Sequence, residues 1–162
     1  MIFVTVGMSR SPFDRLLHAI DGLAVREQLV VQHGHSRVRP VRAVCHDYLS
    51  YDELAKYVRR ARVVITHAGV GSVALALMHD KRPIVVPRLR RFGEAVDDHQ
   101  AHLARTLHRQ GIVRLVDDLS KLRLVIDEPQ TGSSVAISQG QSLAIDLEEY
   151  LRVLIARTRP DS

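Results

Sequence analysis

The chain has 162 residues, 46% of them hydrophobic and 25% charged, which suits one globular domain with a full core and excludes two domains of ordinary size. Its net charge of +5 rests on 20 arginines and 3 lysines, so anionic partners come into question, yet 4% aromatics and no Trp leave base-stacking platforms scarce, and no nucleic-acid partner is expected. No apolar run reaches the roughly 18 residues of a membrane span, Met1 to Val6 lacks the basic lead of a signal peptide, and the lone Cys45 has no partner for an internal disulfide. These features predict a cytoplasmic protein.

Ile2 to Val6 reads as a strand ending at Gly7. Ser11-Pro12-Phe13-Asp14 then opens a helix, with Ser11 as cap, Pro12 in the first turn, and Leu16, Leu17, Ile20 and Leu23 on the buried face. Gln28 to Gln32 and Val41 to Cys45 are the next two strands. Ser50-Tyr51-Asp52-Glu53 has the spacing of a capping box and starts a helix that runs to about Arg60. Arg62 to Thr66 is a short apolar run of the kind a buried parallel strand needs, and Val73 to Met78 reads as the helix after it. Pro83 to Pro87 is a strand bracketed by prolines, and Val96 to Arg109 a helix stopped by Gly111. Ile112 to Val116 makes a last strand, and Asp117 to Ile126 one more short helix. Residues 127–140, rich in Pro, Gly, Ser and Gln, read as a mobile loop. Residues 141–162 read as a C-terminal helix with Leu143, Leu147, Tyr150, Leu151 and Leu154 on one face, packing on the domain or on a partner. Strands alternating with helices over residues 1–126 predict an α/β domain, its parallel sheet covered by helices on both faces.

Two stretches carry the chemistry. His67-Ala68-Gly69-Val70-Gly71-Ser72 joins the central strand to the next helix. Its glycines let backbone approach a ligand, and the helix start offers free N–H groups and a positive dipole end, which outlines a phosphate site. Ser72 can cap that helix or give its hydroxyl to a phosphate oxygen. Arg88 to Gln100 is a dense charged connection in which arginines suit phosphate, and carboxylates suit sugar hydroxyls. Ligands of open parallel sheets bind beyond the strands' carboxyl ends, which places Gly7, His67 to Ser72 and Arg88 to Gln100 on one rim.

The opening Ile2-Phe3-Val4-Thr5-Val6-Gly7, the turn His67 to Ser72, and Pro87-Arg88 with Gly93-Glu94 and Asp98-His99-Gln100 resemble the soluble subunit of two-part glycosyltransferases. The bacterial PssE-like subunits and the cytosolic subunit of the eukaryotic dolichol-pathway N-acetylglucosamine transferase belong to this group, and the PssE-like subunits are the nearer match. The group is similar to the C-terminal, nucleotide-sugar-binding half of MurG, in glycosyltransferase family 28. The resemblance implies a Rossmann-like half of a GT-B enzyme and an inverting hexosyltransferase. It would bind a UDP-sugar and use no metal and no cofactor. It also implies a membrane-anchored, PssD-like partner that brings the lipid-linked acceptor and the general base, in exopolysaccharide biosynthesis, with the chain peripheral at the inner face of the cell membrane. By carry-over, the amides of Gly69, Val70, Gly71 and Ser72 face the diphosphate, and Gly7, His67 and Arg88 line the cleft. Glu94, Asp98, His99 and Gln100 bind sugar or ribose hydroxyls. Met8 stands where the family commonly has Thr, and Ala76 where some relatives carry a ribose-holding Glu.

Other readings stay open at this level. Gly69-x-Gly71-x-x-Ala74 also fits the loose dinucleotide fingerprint, with Arg88 and Arg90 for an NADP 2′-phosphate. The arginine clusters suit a solvated surface or an anionic lipid face equally well. A nucleotide-sugar-binding module without catalysis predicts the same ligand. The residues do not decide whether the chain forms a homo-oligomer.

Overall fold

A computed structural model describes residues 1–129. Six parallel strands form one sheet in the order β3-β2-β1-β4-β5-β6. They are β1 (Ile2–Thr5), β2 (Leu29–Gln32), β3 (Ala43–His46), β4 (Val63–Thr66), β5 (Ile84–Val85) and β6 (Arg114–Leu115). β1 pairs with β2 on one side and β4 on the other, with Ile2 beside Leu29 and Val63. This order puts a topological switch point between β1 and β4, the place where open parallel sheets bind ligands.

The helices divide between the faces as strand alternation requires. Ile2, Val4, Val31, Val63 and Ile65 point to one side and pack against α1 (Asp14–Asp21) and α5 (Leu122–Asp127). Phe3, Val30, Val64 and Val85 point to the other, against α2 (Tyr51–Arg60), α3 (Val70–Met78) and α4 (His99–Arg109). Both faces of the strands are therefore apolar, and β1, β2 and β4 are buried throughout. α3 lies between sheet, α2 and α4, so Val73 to Leu77 are all buried and show no amphipathic period.

The capping box forms as expected: Ser50 accepts from the Glu53 amide, and the Glu53 carboxylate accepts from the Ser50 amide. Four helix starts differ from the sequence reading, the fourth being α5, which begins at Leu122 after a 3-10 turn over Leu119–Lys121 and not at Asp117. α1 begins at Asp14 and Ser11 caps nothing. The Phe13 amide goes to Ser36 Oγ instead, at 2.8 Å, and the Asp14 carboxylate turns away to accept from the amides of Arg37 and Val38. α3 begins at Val70, three residues early, because Gly69 already has the extended conformation of an N-cap. α4 begins at His99, not Val96, since residues 88–98 close on themselves as a loop and leave Val96 90% exposed. α5 ends at Asp127. The expected loop beyond Pro129 and the expected helix over 141–162 lie outside the described residues.

Candidate functional site

The carboxyl ends of β1 to β4 carry polar residues in register. Thr5 sits beside Gln32 and Thr66, and Gln32 beside His46. Thr5 Oγ1 donates to Gln32 Oε1 at 2.6 Å, and Gln32 Nε2 donates to the carbonyls of Asp47 at 3.0 Å and Gly7 at 3.3 Å. Thr5, Gln32 and Thr66 are all buried, so this row ties down the loops leaving β1 and β3. The sequence reading passed over them. Their signal was a polar residue at the last position of a buried apolar run.

The glycine turn follows β4. Val73 N, bonded to the Gly69 carbonyl at 3.1 Å, is the first amide of α3 with a partner inside the helix, so the N–H groups of Val70, Gly71 and Ser72 have none there. Gly69 has no side chain to cap them, and the first turn holds no acid. Ser72, the third helical residue, is too far into the helix to be its cap.

His67 packs its ring between two turns. A Cβ on Gly7 would lie 2.4 Å from its Cε1, and one on Gly69 2.2 Å from its Nε2. Burial first, and the nearby Arg88 second, push the imidazole down to about 4, so it is neutral at physiological pH. Gly7 and Gly69 thus serve the His67 ring, and Gly71, exposed at the second helical position, is the glycine left open to a ligand.

Arg88 and Glu94 lie deeper than a solvent-facing site requires, at 1% and 4% exposure. The Arg88 guanidinium donates to the carbonyls of Val6 (2.9 Å), Ser11 (2.8 Å), Pro12 (3.2 Å) and Glu94 (3.4 Å), while its Nε has no partner among the described residues. Burial lowers its pKa from the usual arginine value. The Glu94 carboxylate accepts two bonds from Arg15, at 2.8 and 2.9 Å, and one from the Leu89 amide. Arg15 was not foreseen, because nothing in its local sequence points to a partner 79 residues away. Gln100 Oε1 accepts from the Arg88 amide at 3.3 Å, so this motif residue adjoins the cleft. Asp98 and His99 stand outside it, on the exposed rim: Asp98 accepts from the Arg90 amide, and His99 pairs with Asp97 at 2.8 Å. A cavity of about 260 Å³ opens beside them, lined by Leu89, Arg91, Asp98, Ala101, Arg105 and Asp117. With its guanidinium committed to loop carbonyls, Arg88 does not hold a 2′-phosphate, which leaves the exposed Arg90 alone for that role in the dinucleotide reading.

Residues 1–141 match the glycosyltransferase family 28 C-terminal domain. The chain belongs to that family. A subunit of UDP-N-acetylglucosamine transferase, ALG13, from Yarrowia lipolytica is 42% identical over 59 residues, covering 36% of this chain and 28% of that protein. Human ALG13 is 32% identical over 123 residues, covering 68% of this chain and 10% of that protein. The chain thus spans between about a tenth and about three tenths of the length of these relatives. Solved structures agree on the fold. The solution structure of ALG13 superposes with a TM-score of 0.59 at 18% identity, covering 94% of this chain and 96% of that one. Acinetobacter baumannii MurG gives 0.54 at 18% identity, covering 96% of this chain and 48% of that one, as one half of a GT-B enzyme would. In this family 28 domain Ala76 is fully buried against Phe3 and Val30, so its position faces the core and not a ribose. Met8 is 78% exposed on the β1–α1 loop.

Proposed function

We propose that this family 28 domain is the UDP-sugar-binding subunit of a two-component glycosyltransferase. In this reading a membrane-anchored, PssD-like partner supplies the lipid-linked acceptor and the general base, and the pair transfers a hexosyl residue in exopolysaccharide biosynthesis. The observation that carries the reading is the open start of α3: three amides without helical partners, no acid in the first turn, and a glycine at the second position. The ALG13 relatives are named as subunits of a UDP-N-acetylglucosamine transferase, which supports both the donor and the two-part assembly.

The chemistry follows from the charge that develops. As the acceptor hydroxyl attacks the anomeric carbon, the bond from that carbon to the diphosphate oxygen breaks and UDP leaves with the electron pair. The amides of Val70, Gly71 and Ser72, the Ser72 hydroxyl and the helix dipole, equivalent to about half a positive charge, meet that oxygen without reorganising. The neutral His67 adds a hydrogen-bonding wall and no charge. Gln100, which adjoins the cleft through the Arg88 amide, would meet the sugar hydroxyls, with Asp98 and His99 on the rim outside it. The partner holds the chain at the inner face of the membrane.

Thermal unfolding against UDP, UDP-glucose, UDP-glucuronate, UDP-N-acetylglucosamine, GDP and NADPH tests the reading. A ligand at 100 times its dissociation constant adds about 2.7 kcal/mol of stability. Uridine compounds are expected to raise Tm selectively. A response to NADPH alone overturns the assignment, and uridine binding without transfer on reconstitution with the partner leaves a module that binds and does no chemistry.

A further inference from the structure

Arg15, Glu94 and Arg88 form one buried or half-buried set of charges beside the glycine turn, and their contacts are to protein. Arg88 gathers three carbonyls of the β1–α1 loop, Val6, Ser11 and Pro12, and lies 4.6 Å from the centroid of the Phe13 ring. It reaches across to the Glu94 carbonyl, and its own amide holds Gln100. Glu94 grips Arg15 at the start of α1 through two parallel bonds, and Arg15 also donates to the Pro87 carbonyl at 3.0 Å. The β5–α4 loop is thereby closed onto the β1–α1 loop. The β1–α1 loop begins with Gly7, against which His67 packs, and His67 in turn packs against Gly69. A continuous chain of contacts runs from the Arg15–Glu94 pair to the turn that faces the diphosphate.

We infer that Arg15, Glu94 and Arg88 are positioning residues of the donor site. They set the spacing between Gly7, the His67 to Ser72 turn and Gln100, and they make no contact with the donor. The inference rests on the donor reading above and moves Arg88 and Glu94 from the ligand contacts that the family resemblance implies to support. A carboxylate bonded to sugar hydroxyls discriminates UDP-sugars from UDP. A carboxylate that holds a guanidinium 2.8 Å away acts on both alike.

The test is titration calorimetry of the full chain with UDP and with UDP-N-acetylglucosamine, at a temperature where circular dichroism finds every variant folded. Glu94→Gln and Arg15→Ala are each expected to raise Kd about tenfold for both ligands. The double variant is expected to be no weaker than Arg15→Ala alone, because the pair that Glu94→Gln weakens is already broken there. Loss confined to the UDP-sugar in Glu94→Gln, or additive effects of the two substitutions, overturns the inference. If the wild-type chain binds no uridine compound, the donor reading fails and hydrogen exchange decides on the clamp. Amides of residues 7–11 and of Phe13 are then expected to exchange faster in Glu94→Gln and Arg88→Lys than in wild type, and unchanged exchange there overturns it.

Discussion

A Cβ on Gly69 would stand 2.2 Å from Nε2 of His67, a distance no real contact tolerates. A Cβ on Gly7 would press on the same Cε1–Nε2 edge of the ring, 2.4 Å from Cε1. Gly69 has φ −79°, which alanine adopts without strain, whereas Gly7 has φ +75°. Gly69→Ala is therefore expected to lower stability by about 2 kcal/mol through overpacking alone, and His67→Ser in the same chain to restore most of it. Gly7→Ala is expected to stay costly in the His67→Ser background, since its backbone penalty does not depend on the ring. Urea unfolding of the two pairs separates the causes.

The neutral state of His67 has a pH signature. Its folded pKa of about 4 lies below the ordinary 6.5, so from about pH 6.5 down to about 4 the unfolded chain binds a proton that the folded chain refuses. Stability is complete above that window and falls as the pH drops through it, by at most about 1.4 kcal/mol per unit. His67→Gln is expected to flatten this part of the curve. Glu27 acts lower down. Its bonds with Arg62 and the N-terminal ammonium hold it at about 2 against an ordinary 4.5, so its contribution is present above 4.5 and is lost as the pH falls toward 2. Glu27→Gln is expected to lower stability above about pH 4.5 and to flatten the acid limb below it, as measured by unfolding midpoint against pH.

Gly71→Asp separates ligand binding from folding. An acid at the second position of α3 is favourable to the helix dipole by about 0.3–1 kcal/mol, yet it puts a carboxylate where a diphosphate would sit. Tm without ligand is expected to hold or rise slightly, while the uridine-dependent increase disappears. A variant that still responds to UDP would remove the open start of α3 as the diphosphate site.

Ser36 tests the support of the β1–α1 loop. Its hydroxyl accepts the Phe13 amide at 2.8 Å, both residues being buried. Ser36→Ala leaves that N–H without a partner and is expected to cost about 1–3 kcal/mol. Amide exchange at Phe13 is expected to accelerate with it.

The sequence by itself determined the architecture, the capping box at Ser50, and the glycine turn between β4 and α3. Those features depend on neighbours a few residues apart: apolar runs bracketed by turns, a Ser and a Glu at helical spacing, and glycines between a strand and a helix. The ends of α1 and α4 were less legible, because the residues that decide them bond across the chain, Phe13 to Ser36 and Arg88 to Gln100. The roles of the site residues were decided only in three dimensions. Arg88 and Glu94 carry the charges of a sugar-phosphate site in the sequence, but folding buries both and pairs Glu94 with Arg15 from the far end of the domain. A buried charge needs a partner, and no local pattern says which residue the topology will bring beside it.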